Sequence, residues 1–222
     1  MKYLNLKFII LWFKYSFSKY SRYKYLFKLI LNQKPKTILE IGVYKGKRSI
    51  EMMDLAQCFN KQIIFYGFDL FEKITEKKIK DELSKNPLSK DEIFTKLKNL
   101  FPKAKINLIK GDTIKTLKNL DIKNKIDFIF IDGGHSLNTI KKDWQNVKKL
   151  IHRNSLVVFD DYYDDEHISK KFGSKNIIKN LGKNYISKIL PSTDKIYVKN
   201  KKILNSLVLV KIKSRFTNRE FY

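Results

Sequence analysis

One cysteine, three histidines and five arginines are all that this chain of 222 residues holds of three side chains on which many sites are built. Cys58 alone cannot form an internal disulfide, and no paired set of Cys and His has the spacing of a structural zinc site. That usage fits a reducing, cytoplasmic compartment. Long apolar runs are scarce as well. Phe8-Ile-Ile-Leu-Trp-Phe13, between Lys7 and Lys14, has six residues, against the roughly 20 that span a bilayer. It is also short for a signal-peptide core, and no small-residue cleavage site follows. Arginine is the residue preferred for bidentate phosphate and base contacts, so its scarcity weakens a nucleic-acid reading of the net charge of +25. The lysines, together with abundant Ile, Asn, Phe and Tyr, are what an AT-rich coding sequence gives whatever the function. Acidic residues are absent from positions 1–39, which carry nine basic ones. This segment reads as a basic, aromatic-rich helical region, either packed on the domain or a partner, or lying on an anionic membrane surface.

What is present is a core. With 43% hydrophobic residues, global disorder is excluded, and the length suits one α/β domain. Residues 4–31 read as one or two helices with a break near Ser18 to Ser21, and Pro35 ends that pattern. Thr37 to Ile41, Gln62 to Phe68, Ile106 to Ile109, Phe128 to Ile131 and Leu156 to Phe159 read as strands, with helices between them. The stretch 72–104 is an insertion holding two helices separated by Asn86-Pro87, and Ser89-Lys-Asp-Glu92 has the form of a capping box. Lys195 to Val198 and Leu207 to Ile212 read as a terminal hairpin.

This pattern predicts an α/β fold: a Rossmann-like, mostly parallel, seven-stranded sheet with helices on both faces and a C-terminal antiparallel hairpin. Residues 1–35 would form a basic helical segment dispensable for cofactor binding, and 36–222 the domain proper. Right-handed crossovers would bring the strand ends carrying Gly42, Asp69, Gly111, Asp132 and Asp160 to one edge, where ligands bind in open sheets.

Glu40-Ile-Gly42-Val-Tyr-Lys-Gly46 follows the first strand and lacks the middle glycine of the dinucleotide fingerprint, which disfavours NAD and FAD. Its E-x-G-x-x-x-G form resembles motif I of class I methyltransferases. The resemblance implies that S-adenosylmethionine (SAM) binds Glu40, Gly42, Gly46, Asp69 at the second strand end, Asp112 near the adenine, and Asp132. Ile131-Asp132-Gly-Gly-His135-Ser136, with Asp143-Trp144 and then Phe159-Asp160-Asp161-Tyr162, is similar to the metal-dependent O-methyltransferases of sugars and macrolide sugars, and more distantly to catechol O-methyltransferases. It covers about Lys36 to Lys213. It implies a magnesium ion on Asp132, Asp160 and Asp161 and a small-molecule or sugar hydroxyl as acceptor. His135 stands where the catechol enzymes have a lysine base, so either His135 or Asp132 takes the proton. On that view Asp160→Asn would spare folding and reduce turnover. Asp164, Asp165, Glu166 and His167 would line the entrance. An N/D-P-P-Y/F segment, usual in amino-methylating enzymes of nucleic acids, is missing. The competing readings are a tRNA methyltransferase of the same fold and a non-catalytic membrane-surface or protein-binding module. Membrane contact would run through residues 1–31, and the oligomeric state, homo-oligomer included, stays open.

Overall fold

Five central strands and the helices between them stand close to where the sequence pattern puts them. The computed structural model describes residues 6–16, 21–118, 120, 126–198 and 201–213. In chain order the elements are α1 (Leu6–Ser16), α2 (Ser21–Gln33), β1 (Thr37–Ile41), α3 (Lys47–Ala56), β2 (Ile64–Asp69), α4 (Glu76–Asp81), α5 (Lys90–Leu100), β3 (Lys105–Lys110), α6 (Thr113–Thr116) and β4 (Ile126–Ile131). They continue with α7 (Leu137–Val147), β5 (Ile151–Tyr163), α8 (Glu166–Ser169), α9 (Lys175–Lys179), β6 (Tyr185–Ile189), β7 (Lys195–Val198) and β8 (Lys201–Ile212). Apart from Ser21, the expected break at Ser18 to Ser21 lies outside the described residues, as does the turn joining β7 to β8.

The sheet order is β3-β2-β1-β4-β5-β8-β6, with β7 paired to β8 off this path. β1 to β5 are parallel, and β8 runs antiparallel to β5, β6 and β7. Alternate residues of each central strand enter opposite layers. Ile38, Phe128, Phe130, Leu156 and Val158 pack with α2, α3 and α5. Leu39, Ile41, Ile129, Ile131, Val157 and Phe159 pack with α7 and α9. Burial on both faces is why these strands read as unbroken apolar runs. Each fully buried side chain in these two layers contributes on the order of 1.5–3 kcal/mol. On the second face Trp144 meets Phe159 and Tyr185 edge-on, with ring centroids 5.6 and 5.0 Å apart.

Three features differ from the sequence reading. The seventh strand on the path is β6, whose half-exposed YISKI pattern gave no strand signal at a sheet edge. The terminal hairpin exists, but β7 pairs with Lys201 to Leu204, not with Leu207 to Ile212. The latter stretch slots between β5 and β6, as its buried Leu207 to Val210 run requires. Most consequential is α2, which is not a detachable leader. Tyr23, Leu26, Phe27 and Ile30 are buried in the same core layer as the sheet, so a boundary at residue 35 would cut through the domain core.

The Ser89–Glu92 capping box forms as expected: Ser89 N–H donates to Glu92 Oε2 (2.8 Å) and Glu92 N–H to Ser89 Oγ (3.3 Å). Such caps are worth about 1 kcal/mol. Among the described residues, no helix is long and apolar enough to cross a membrane.

Candidate active site

The carboxyl ends of the parallel strands surround one cavity of about 590 Å³, lined by Gly42, Asp69, Gly111, Asp112, Asp132 and His135 among others. Sheet order fixes their sequence along the edge: Asp112 after β3, Asp69 ending β2, Gly42 after β1, Asp132 after β4.

Gly42 is dictated by backbone packing. Its φ is +91°, and a Cβ there would stand 1.9 Å from the Asp132 carbonyl oxygen. Gly42 N–H donates to Phe68 O (2.8 Å) and Asp132 N–H to Ile41 O (2.9 Å), which stitches the ends of β1, β2 and β4 together. Asp69 holds the loop beyond. Its Oδ2 accepts from Tyr44 N–H (2.7 Å) and its Oδ1 from Phe71 N–H (2.9 Å), two residues in left-handed backbone. Asp112 caps α6 by accepting from Ile114 N–H (2.9 Å) and faces Lys78 Nζ at 3.6 Å.

Two of the six residues expected at the cofactor do not line the cavity. Gly46 opens α3 behind the loop. Glu40 is fully buried within β1, accepts from Ser49 Oγ, and leaves Oε1 without a partner. Burial pushes its carboxyl up to about 8, so it is held largely protonated at neutral pH.

The acidic pair near the end of β5 splits into two roles. The β5–β8 ladder shifts register between Phe159 and Tyr162, and Asp161 sits in that bulge at φ 56°. Asp160 is fully engaged. Oδ1 accepts from Arg22 Nε (2.9 Å) and Asp161 N–H (2.7 Å), and Oδ2 from Arg22 Nη2 (3.2 Å) and Tyr23 Oη (2.7 Å). Arg22 also reaches Asp194 (2.9 Å). Asp160 therefore anchors α2 to the sheet rather than facing the cavity, which corrects its expected place in a metal set. Asp132, His135 and Asp161 instead bring their ligand atoms within 4.8 Å of one another.

His135 is held from both sides. Nδ1 lies 2.6 Å from the Glu82 carbonyl oxygen, which can only accept, and Nε2 lies 2.9 Å from Asp161 Oδ2. Burial works against its charge, but Asp161 and then Asp132 outweigh it and raise the imidazole to about 10. An imidazolium donating through both nitrogens is not a free base. Burial, then Asp160 and Asp161, raise the Asp132 carboxyl well above the usual range.

Wall residues outside the sequence reading of the site come from two further segments. Arg22 and Tyr23 arrive from α2, and Glu82 from the insertion at 72–104. Glu82 accepts from Ser136 N–H (2.8 Å), Ser136 Oγ (2.9 Å) and Thr139 Oγ1 (2.6 Å), clamping the insertion to the start of α7. The insertion is thus cavity wall. Arg22 had one available cue, since arginine is rare in this chain. The loop at Asp164 to His167 does not line the cavity. Asp165 caps α8 and pairs with Lys201, and Glu166 pairs with Lys175 and Lys179.

A parallel sheet whose strand ends share one acid-lined cavity is the architecture of enzymes that hold a nucleotide-like cofactor at the sheet edge. Residues 39–162, more than half of the chain, match the family described as a methyltransferase domain, and the chain belongs to that family. Among curated proteins no sequence matches. Solved structures share the fold at low identity. The O-methyltransferase TomG from Streptomyces achromogenes, in complex with SAM, is 14% identical with a TM-score of 0.56, over 86% of this chain and 79% of that one. An O-methyltransferase from Bacillus cereus in complex with S-adenosylhomocysteine is 14% identical with a TM-score of 0.55, over 94% and 91%. An rRNA methylase from Streptococcus thermophilus is 12% identical with a TM-score of 0.55, over 87% and 97%.

Proposed function

We propose that this methyltransferase moves the methyl group of SAM to a hydroxyl of a small molecule or sugar. The observation that carries the reading is the single cavity that collects Asp112, Asp69, Gly42 and Asp132 in sheet order. Along that edge the adenine would lie by Asp112, the ribose diol on the remaining acceptor positions of Asp69, and the methionine portion by Gly42. The sulfonium methyl would then lie toward Asp132. TomG and the Bacillus cereus enzyme carry SAM and its demethylated product on the same fold, which supports this placement. The rRNA methylase shares the fold too, so the acceptor has to be argued from the acid–imidazole cluster. A hydroxyl is a poor nucleophile until deprotonated, and Asp132 at the cavity end is positioned to take its proton. While no ion is bound, the His135 imidazolium balances charge beside it.

Asp132, His135 and Asp161 fit a divalent cation: two carboxylates and one imidazole, with ligand atoms within 4.8 Å of one another. Mixed oxygen and nitrogen donors suit manganese better than the all-oxygen shell that magnesium prefers. When bound there, such an ion would supply Lewis acidity toward the acceptor hydroxyl. The proton on His135 Nε2 occupies the same position, so ion and proton compete for it.

The test is transfer of labelled methyl from SAM to a panel of sugars, phenols and catechols, with tRNA as comparator, in chelator and with added metals. Transfer to a hydroxyl compound, lost in chelator and restored by Mn²⁺ more than by Mg²⁺, is expected. Undiminished transfer in chelator would reject the metal, and transfer to tRNA alone would reject the acceptor class.

A further inference from the structure

The N-terminal helices serve the cavity through Arg22 and Tyr23, and their remaining surface carries features that the chemistry does not use. The chain has 22 acidic residues in 222, a density that would place about four in positions 1–39, where there are none. Lysine-rich composition accounts for the nine basic residues of that stretch but not for this gap. On α1, Leu11 and Tyr15 are buried against the domain, while Ile10 and Phe13, three residues apart and so on one helical face, are 57% and 54% exposed. On α2, Lys24 and Lys28 stand one turn apart and exposed. Between them and α1 lies a groove of about 300 Å³ whose walls include Tyr15, Phe27 and Leu55. Exposed apolar side chains beside exposed lysines are the two components by which a surface helix binds an anionic bilayer.

We propose that α1 and α2 form a docking surface for an anionic lipid bilayer, with Ile10 and Phe13 entering the headgroup–acyl boundary and Lys14, Lys24 and Lys28 meeting the headgroups. The aliphatic Ile10 beside Phe13 favours a bilayer over RNA, whose bases offer stacking faces to an aromatic ring but no apolar layer for an aliphatic side chain. The arginine in this segment that could fork a phosphate, Arg22, is turned inward onto Asp160 and Asp194. Because α2 also walls the catalytic cavity, docking would bring that cavity to the membrane surface and make a membrane-borne acceptor reachable.

Co-sedimentation of the full chain with vesicles tests this, using phosphatidylcholine alone and phosphatidylcholine mixed with phosphatidylglycerol. The protein should sediment with the mixed vesicles only. The double variants Ile10→Ser/Phe13→Ser and Lys24→Gln/Lys28→Gln should each bind them at least about tenfold more weakly, the lysine pair up to about 30-fold, while binding SAM as the wild type does. Equal sedimentation with both vesicle types, none with either, or unchanged binding by both variants would overturn the proposal. So would displacement of the protein from the vesicles by equimolar tRNA. A dimer in size-exclusion chromatography that Ile10→Ser/Phe13→Ser dissolves would assign the face to a second copy instead.

Discussion

Asp132→Asn is expected to lower methyl transfer by about 10²–10⁴-fold, the range for loss of a positioned general base, while SAM affinity and thermal stability hold. Asp132 lines the cavity at the end of β4 and stands in one cluster with His135 and Asp161. Its carboxyl is raised by burial and by Asp160 and Asp161, so an amide of the same shape removes repulsion along with the base. Asp160→Asn should do the reverse of what strand position alone suggests. Its side chain is 1% exposed and its partner Arg22 is 13% exposed, so the substitution takes one charge from a buried pair. Arg22 keeps Asp194, which limits the expected loss to about 2–3 kcal/mol, below the usual range for an orphaned buried charge. Chemical denaturation and turnover measured on both variants separate the roles. Asp132→Asn turning over within threefold of wild type would remove it as the base, and a fully stable Asp160→Asn would remove the anchor.

Gly42→Ala is the other large effect expected. The new Cβ would lie 1.9 Å from the Asp132 carbonyl oxygen and 2.5 Å from its carbon. Both atoms belong to the backbone at the end of β4, so no side-chain rotation relieves the clash. Left-handed backbone adds its own strain, and the sum is about 3–5 kcal/mol. Gly182 is the control, since its φ is +92° but nothing lies within 4 Å of a Cβ there. Gly182→Ala should cost only the backbone part, about 1–2 kcal/mol. Denaturation midpoints of the two variants give the difference, and equal losses would show that the β1–β4 approach is not what Gly42 serves.

Much of this architecture could be read from the chain because its signals are local. Five short apolar runs, each followed within three residues by Gly or Asp, place Gly42, Asp69, Asp112 and Asp132 at strand ends before any contact is known. What escaped the reading is long-range or depends on a local backbone irregularity. Arg22 and Asp160 are 138 positions apart, and Glu82 and Ser136 are 54 apart, so no periodicity links them. The Asp160-Asp161 pair looks like two equivalent carboxylates in sequence. The bulge in β5 makes them unequal, turning one toward α2 and the other toward His135. The same blindness hid β6, whose edge position leaves it without the apolar pattern that marks the inner strands.

SAM binding at the strand-end cavity is the centre of this account, and titration calorimetry of SAM into wild type and Asp69→Ala tests it most directly. The wild type should bind one SAM per chain and no NAD. The folded variant should bind about 5–150-fold more weakly, the equivalent of about 1–3 kcal/mol for ribose donors left unpaired and a loop released from Tyr44 and Phe71. Equal affinity in the two proteins, or no heat of SAM binding to the folded wild type, would contradict it.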